Sequence, residues 1–161
     1  MFEFNPGIIM ILGGLLLPLV RGHIRSALML ALPIIGLAYT IALAPGTTLN
    51  LAIFDYSLEV LRVDKLALVW GYIFHIAAFL GVLYAIHEKD CVQGATAQIY
   101  MGSAVGAVFA GDLITLFVFW ELTAISSVFL IWATGTQRSL RAGMRYLIVQ
   151  IGSGVLLLAG A

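Results

Sequence analysis

A carboxylate interrupts a long apolar stretch in the second half of the chain. Residues 113–133 are apolar enough to cross a bilayer, yet Glu121 lies among them. At about 1.5 Å of rise per residue, the helix from Asp112 to Glu121 is roughly 13 to 14 Å long. The hydrocarbon layer is about 30 Å thick, so Glu121 lies near its middle if Asp112 marks one surface. Ionisable groups at that depth are costly and often mark ion or proton pathways.

The helix that carries Glu121 offers it no partner. Its neighbours at helical spacing are apolar, while the hydroxyl residues of the same stretch lie mostly toward the opposite face. Another helix, water or a proton must therefore deal with the charge. Burial favours a protonated carboxyl group and a nearby cation favours a charged one, so a site that switches between them can move a proton. The alternative is a carboxyl group that only fixes helix packing.

His75 is the second candidate. It interrupts the apolar stretch 66–86 about 15 Å beyond Lys65, at a depth similar to that of Glu121. Histidine can serve as a proton relay near neutral pH, and a buried histidine that only hydrogen-bonds to a neighbour is the alternative. No second ligand lies three or four residues away, so we predict no metal site.

The remaining polar residues have simpler interpretations. Asp112 is placed to cap the helix that follows it. Four further polar residues lie within predicted spans: Gln98, Ser103, Gln150 and Ser153. They either line a hydrated path or form hydrogen bonds between helices, and we favour the hydrogen bonds.

The composition indicates an integral membrane protein. Residues of the set AVILMFWYC make up 62% of the 161 residues and charged residues only 10%, and the mean hydropathy is +1.08. A soluble domain is about 45–50% apolar and about 25% charged. The formal net charge is zero, which gives no basic surface for nucleic acid, and the single cysteine excludes an intrachain disulfide.

We predict an all-α polytopic membrane protein with about six transmembrane helices. The predicted spans are 5–20, 26–44, 66–86, 93–110, 113–133 and 144–161. Residues 21–25 form a basic turn with Arg21, His23 and Arg25, and residues 134–141 form a polar loop. The loop 45–64 shows weak alternation around a turn at Asp55–Ser57, which predicts a β-hairpin, with a disordered loop as the alternative. A stripe of Gly102, Gly106 and Ala110 indicates close helix packing.

The cations predict the orientation of the chain. If the loops alternate between sides, Arg62 and Lys65 lie on one side and six cations on the other: Arg21, Arg25, Lys89, Arg138, Arg141 and Arg145. This bias places the N-terminus and the loop 45–64 outside and the arginine-rich loops in the cytoplasm.

Three segments resemble one membrane-protein family. AGDLITLFVFWELTAISSVFLIW, residues 110–132, is similar to the fifth helix of the antiporter-like subunits of complex I, membrane-bound hydrogenases and Mrp cation/proton antiporters. RAGMRYLIVQIGSG, residues 141–154, resembles the sixth helix of that family, and LRVDKL, residues 61–66, resembles the segment before its third helix. Among these relatives the chain resembles most the D-type subunits of Mrp antiporters.

The resemblance implies a fold of about fourteen helices, of which this chain would form the first six. It also implies that Glu121 pairs with a lysine on a seventh helix. The chain has no such helix, and its lysines, Lys65 and Lys89, lie near span ends. We therefore expect a fragment or a split subunit whose remainder is another polypeptide, since part of one inverted repeat does not conduct alone.

The leading hypothesis is a membrane subunit of a multisubunit Na⁺/proton antiporter in the plasma (inner) membrane of a prokaryote. Glu121 would carry or gate the proton and His75 would assist, without a cofactor. Its partners would be other membrane subunits and the lipid bilayer. The alternatives are a proton-pumping subunit of a complex I-like NADH:quinone oxidoreductase or hydrogenase, and a structural or assembly membrane protein.

Overall fold

Apolar runs separated by short polar turns fold into a bundle of helices. The computed structural model describes residues 3–53, 56–88 and 90–160, which contain six α-helices and one β-hairpin. The elements are α1 (Gly7–Leu16), a 3₁₀ turn (Leu17–Leu19), α2 (His23–Ala42), β1 (Thr48–Ile53), β2 (Tyr56–Arg62), α3 (Lys65–Tyr84), α4 (Cys91–Val108), α5 (Leu113–Trp132) and α6 (Gln137–Ala159). The helical polytopic architecture predicted from the sequence is confirmed.

Four of the helices within the described residues are long and apolar enough to cross a membrane, namely α2, α3, α5 and α6. The first helix is shorter: α1 ends at Leu16, and Pro18 lies in the 3₁₀ turn that follows. Helix α4 lies at the centre of the bundle and packs against α1, α3 and α5.

Two of the predicted connections are partly wrong because capping residues start the helices early. Gly22 adopts a φ of +65° immediately before α2, so His23 and Arg25 lie in the first turn of that helix instead of in a basic turn. Helix α6 begins at Gln137, because Thr136 and Ser139 form a reciprocal capping box. Arg138 and Arg141 therefore belong to α6 and not to a polar loop.

The segment between α2 and α3 is an antiparallel hairpin with a bulge between Leu49 and Asn50. For the described residues the disordered alternative is therefore wrong. Asp55 of the predicted turn lies outside the described residues, and the rest of that turn belongs to β2. Two backbone hydrogen bonds fix β2 to the α4–α5 turn: Arg62 N–H donates to the Phe109 carbonyl and Gly111 N–H to the Glu59 carbonyl, each at 2.9 Å.

Glycines allow α1 to lie against α4, as the small-residue stripe predicts. A β-carbon on Gly102 would lie 2.8 Å from the carbonyl oxygen of Gly7 and 2.9 Å from the backbone nitrogen of Ile11. One on Gly106 would overlap the ring of Phe119 on α5. Backbones at this distance leave no room for side chains, so the stripe is a packing feature.

The N-terminal segment joins the same end of the bundle as the hairpin. The buried Asn5 side-chain amide donates to the carbonyls of Gly106 at 3.0 Å and Val60 at 3.2 Å, and its oxygen accepts from Gly7 N–H at 3.1 Å. The N-terminal segment, the hairpin and the α4–α5 turn thus share one end, an arrangement that agrees with alternating loops.

Candidate functional site

Asp112 fixes the start of the helix that carries the candidate carboxylate. Its side chain accepts hydrogen bonds from the backbone N–H of Thr115 at 2.7 Å and from the Thr115 hydroxyl at 2.8 Å. Burial raises the pKa of the Asp112 carboxyl, but these bonds and the backbone N–H groups of Glu59 and Ile114 outweigh it and hold the pKa below its ordinary value. The predicted capping role is confirmed, and it also ties α5 to the hairpin.

Glu121 points from α5 toward the backbone of α6. A β-carbon built on Gly154 of α6 would overlap the Oε1 atom of Glu121 and would lie 3.3 Å from the ring of Phe117. The same Oε1 atom is buried and has no hydrogen-bond partner among the described residues. Glu121 and Gly154 form what we call the carboxyl seat: a carboxyl oxygen held against a helix backbone where no side chain intervenes.

The hydroxyl groups of α5 do not serve this carboxyl group. Thr123 donates to the Phe119 carbonyl at 2.9 Å, Ser126 to the Leu122 carbonyl at 2.7 Å and Ser127 to the Ala124 carbonyl at 2.7 Å. These bonds satisfy each hydroxyl within its own helix. The prediction that the helix itself offers Glu121 no partner is therefore confirmed.

The antiparallel pairing of α5 and α6 sets the register that brings Gly154 to Glu121. Near the connection, the Trp132 indole donates to the Leu140 carbonyl at 3.4 Å, and a β-carbon on Gly143 would overlap that indole. Further along, the Ser127 hydroxyl lies 3.0 Å from the Tyr146 hydroxyl. Two glycines on α6 thus make room for a large aromatic side chain and for the buried carboxyl group of the facing α5 surface.

A cavity of about 420 Å³ lies between α3, α4, α5 and α6, close to the carboxyl seat along α6. Its polar lining includes Thr123, Tyr146 and Gln150, and its apolar lining includes Phe74 and Trp120. Gln150 precedes Gly154 by one helical turn, or about 6 Å. The cavity is large enough for several water molecules, each of which occupies about 30 Å³ in the liquid.

His75 is buried between α3 and α2. Its Nδ1 atom lies 2.7 Å from the Gly71 carbonyl oxygen of the preceding turn. Its Nε2 atom is buried without a hydrogen-bond partner among the described residues, and it lies 2.5 Å from where a β-carbon on Gly36 would be. A carbonyl acceptor at Nδ1 selects the tautomer with its proton there, which leaves Nε2 as a free acceptor.

The structure does not bring His75 and Glu121 together. His75 faces α2 at Gly36, whereas Glu121 faces α6 at Gly154. Helix α4 lies between these two interfaces, because it packs against both α3 and α5. Within the described ranges, no group of three or more His, Cys, Asp or Glu side chains is arranged to hold a metal ion.

Gln98 forms the interhelical hydrogen bond that its type and position predict. Pro33 lies within α2 and has no N–H, which leaves the Met29 carbonyl one turn earlier without its helical donor. The side-chain amide of Gln98 on α4 donates to that carbonyl at 2.7 Å. Its Oε1 atom is buried with no partner in the part of the chain that the structure describes.

Unlike Gln98, the other three residues for which we predicted interhelical hydrogen bonds have no such bond among the described residues. Ser103 donates to the Ile99 carbonyl of its own helix at 2.7 Å, so an interhelical bond is wrong for this residue. Gln150 lines the cavity, and Ser153 is exposed on α6.

Sequence reasoning missed the glycines that face the candidate groups. The residue spacing within a single helix does not reveal the role of Gly154 or Gly36, because that role depends on which helix packs opposite. The available signal was a glycine in an apolar helix that lies outside the small-residue stripe. Asn5 was also missed, since a polar residue near the chain start resembles an ordinary surface position.

The fold and the site define a polytopic membrane helix bundle with one carboxyl oxygen packed between two helices. Residues 110–161, which carry Glu121 and Gly154, match the family model described as NADH:quinone oxidoreductase/Mrp antiporter, transmembrane. The resemblance to the antiporter-like membrane subunits is thereby confirmed.

Bacterial relatives agree with this match. The chain is 34% identical to the putative antiporter subunit mnhA2 of Staphylococcus epidermidis over 114 residues, which are 66% of this chain and 14% of that protein. It is 38% identical to the D-type Na⁺/H⁺ antiporter subunit of Alkalihalophilus pseudofirmus over 55 residues, which are 34% of this chain and 11% of that one. The chain thus spans a small part of the length of these relatives, which include both A-type and D-type subunits.

A solved structure shares the fold. A chain of the membrane-bound sulfane sulfur reductase, an archaeal respiratory membrane complex, superposes with a TM-score of 0.82 at 22% identity. The match covers 96% of this chain and 26% of the other. At this level of identity the likeness concerns the fold alone.

Proposed function

We propose that this chain is the N-terminal part of a membrane subunit of a multisubunit cation/proton antiporter, and that Glu121 carries or gates the proton. The observation that carries the proposal is the carboxyl seat, where a buried Oε1 atom without a described partner faces the α6 backbone. Keeping a carboxyl group at this depth is costly, and a function in proton transfer accounts for that cost.

The environment of Glu121 supports proton exchange more than a permanent ion pair. Among the described residues, no ion pair between Glu121 and a cationic side chain is found. A proton neutralises the buried carboxyl group when no cation is near, and release becomes favourable when a cation or water approaches. We propose that such water enters from the cavity lined by Gln150 and Tyr146, one helical turn from Gly154 on α6.

A charged partner for the Glu121 carboxyl group would come from outside these six helices. Helix α6 packs mainly against α5, and its other faces are largely exposed. A further helix lying on this surface would be placed to bring a lysine to the carboxyl seat, as the family resemblance implies. The partners of the chain are then other membrane segments or subunits, and we place the assembly in the plasma (inner) membrane of a prokaryote.

Sodium is the cation that we propose for exchange. The Alkalihalophilus relative is named a Na⁺/H⁺ antiporter subunit, whereas a relative from Rhizobium meliloti, 36% identical over 99 residues, is named a probable K⁺/H⁺ antiporter subunit. Sodium and potassium pulses given separately to vesicles distinguish the two. Dissipation of a proton gradient by sodium but not potassium supports the assignment, and the reverse contradicts it.

The function is tested with the full assembly in inverted membrane vesicles. Glu121→Gln keeps the shape of the side chain and removes its titration, so cation-driven proton movement is expected to fall to the background of vesicles without the assembly. Glu3→Gln, on the exposed N-terminal segment, removes a carboxylate elsewhere and should retain full exchange. Normal exchange by Glu121→Gln at equal assembly content would contradict the proposal.

A proton-pumping subunit of a redox complex is the second candidate. Two observations favour it: the family description includes NADH:quinone oxidoreductase, and the solved structure with the same fold is a respiratory membrane complex. In that case proton movement would require an electron donor and acceptor, and a cation gradient alone would not drive it. Vesicles given a sodium pulse without any donor separate the two functions.

A purely structural role for Glu121 makes a different prediction. Neutralising the carboxyl group would then lower the amount of assembled complex, because a packing contact would be lost, and leave exchange per complex unchanged. Quantifying the assembly in the same vesicles distinguishes this outcome from a loss of transport. His75 is a secondary candidate, and its relay role stays a prediction.

A further inference from the structure

Three arginines occupy one face at the start of α6. Arg138, Arg141 and Arg145 follow a spacing of three and then four residues, which keeps them within a narrow arc of the helix. Together with Gln137 and Ala142 they line an open groove. All three are exposed, and none forms an ion pair with another described residue.

The position of this arginine face relative to the apolar part of α6 is defined by the sequence. No charged residue follows Arg145 within the helix, whose remainder is almost entirely apolar. Trp132, whose indole reaches the Leu140 carbonyl, lies at the adjoining end of α5. Charged residues followed by an apolar span, with an indole beside them, are the usual arrangement at the boundary between headgroups and hydrocarbon.

Exposed positive charge at that boundary, without an ion-pair partner among the described residues, attracts anions. Guanidinium groups bind phosphate oxygens through paired N–H donors, and the first turn of α6 also has N–H groups without helical partners. The capping box already occupies the N–H of Ser139, which leaves the arginine side chains as the main donors. The cytoplasmic leaflet supplies phosphodiester anions at high local concentration.

We propose that the arginine face of α6 binds the phosphodiester headgroup of an anionic phospholipid. The lipid would neutralise the guanidinium groups and let its acyl chains cover the exposed apolar side chains of α6, such as Ile148 and Val149. This lipid site does not include Glu121. If the arginine face did not bind lipid, the proposal that Glu121 carries or gates the proton would be unaffected.

The test measures lipid retention by the full assembly. Purified assembly is equilibrated with phosphatidylcholine vesicles that contain a minority of phosphatidylglycerol, recovered in mild detergent, and its bound phospholipid is measured. The wild type is expected to be enriched in phosphatidylglycerol. Because one arginine near an anionic surface contributes about fivefold to binding, Arg141→Gln should reduce the retention constant about fivefold. Arg21→Gln, which removes an exposed cation of the predicted cytoplasmic side, should not reduce it.

Replacing all three arginines by lysine protects the test against failed insertion. Lysines keep the charge that sets topology but cannot form paired bonds to a phosphate, so retention should still fall several-fold. Equal retention by the lysine variant, or an equal loss in Arg21→Gln, would overturn the assigned site. Displacement of the lipid by inorganic phosphate at millimolar concentration would mean a free-anion site and would also overturn the lipid assignment.

Discussion

At the scale of single residues, the central contact is that of Glu121 with a glycine. The carboxyl oxygen occupies the space that a β-carbon on Gly154 would take, so the two helices can lie this close around Glu121 only with a glycine at position 154. The oxygen is also buried without a described partner, which separates it from an ordinary surface carboxylate. A proton carrier requires such a combination of confinement and incomplete hydrogen bonding.

Gly154→Ala is expected to displace the carboxyl group and reduce exchange about tenfold or more, because small misplacements of reacting groups can cost up to about a hundredfold. Overpacking should also destabilise the assembly by roughly 1–3 kcal/mol. Exchange in vesicles and thermal unfolding in detergent measure the two effects.

Gly152→Ala is the matched control, because nothing lies within 4 Å of a β-carbon at that position. It should behave as the wild type. A shorter carboxylate, Glu121→Asp, should recover part of the stability lost in Gly154→Ala. Equal behaviour of the two alanine variants would show that the carboxyl seat has no role.

At the scale of elements, the proline-containing helix α2 and the central helix α4 depend on each other. Pro33 frees the Met29 carbonyl, and Gln98 supplies the donor that the proline lacks. The predicted interhelical bond of Gln98 had a specific cause that the sequence pattern alone did not identify.

Gln98→Ala should destabilise the protein by about 1–3 kcal/mol, because it leaves a buried carbonyl without a donor. In a background of Pro33→Ala, which restores a backbone N–H to α2, the same substitution should cost clearly less. Thermal unfolding of the four combinations gives the coupling energy. Additive effects would exclude the link between the proline and the glutamine.

The cap of α5 gives a prediction on pH. The folded-state pKa of Asp112 lies below its ordinary value, so the charged cap contributes stability above that ordinary value, and the contribution disappears as pH falls through the lowered pKa. Asp112→Ala should cost about 1 kcal/mol at neutral pH. Asp112→Asn keeps a capping oxygen and should lack this part of the acid dependence. Unfolding midpoints measured between neutral and acid pH test the difference. The same dependence of the midpoint on pH in Asp112→Asn and in the wild type would contradict the prediction.

The sequence predicted the helices well and their boundaries less well. Apolar runs identify the helices because burial in lipid or protein needs uninterrupted apolar surface. The starts of α2 and α6 were missed because a positive-φ glycine and a capping box of Thr136 and Ser139 allow polar residues to join the first turn. Gly154 was missed because its contact depends on the register of two helices, which a single-helix pattern does not contain.

At the scale of the whole molecule, the two ends of the bundle differ. The N-terminal segment, the hairpin and the α4–α5 turn meet at one end through hydrogen bonds to Asn5 and Phe109. The arginine-rich first turns of α2 and α6 lie at the other end, which the charge bias predicts to be cytoplasmic.

The single cysteine allows this orientation to be measured. Cys91 begins α4 at the end opposite the hairpin and is partly exposed. A membrane-impermeant maleimide should label it only after permeabilisation. Ser57→Cys in a Cys91→Ser background places the thiol on the exposed hairpin and should be labelled in intact cells. The reverse pattern would invert the proposed orientation.

The most direct test of the account is to observe the protonation of Glu121 during transport. Infrared difference spectra of the reconstituted assembly, recorded as a cation gradient is applied, should contain a protonated-carboxyl band that shifts in heavy water. The band should disappear in Glu121→Gln and persist in Glu3→Gln. A spectrum with no Glu121-dependent carboxyl change, from an assembly that still exchanges cations for protons, would contradict the claim that this residue carries or gates the proton.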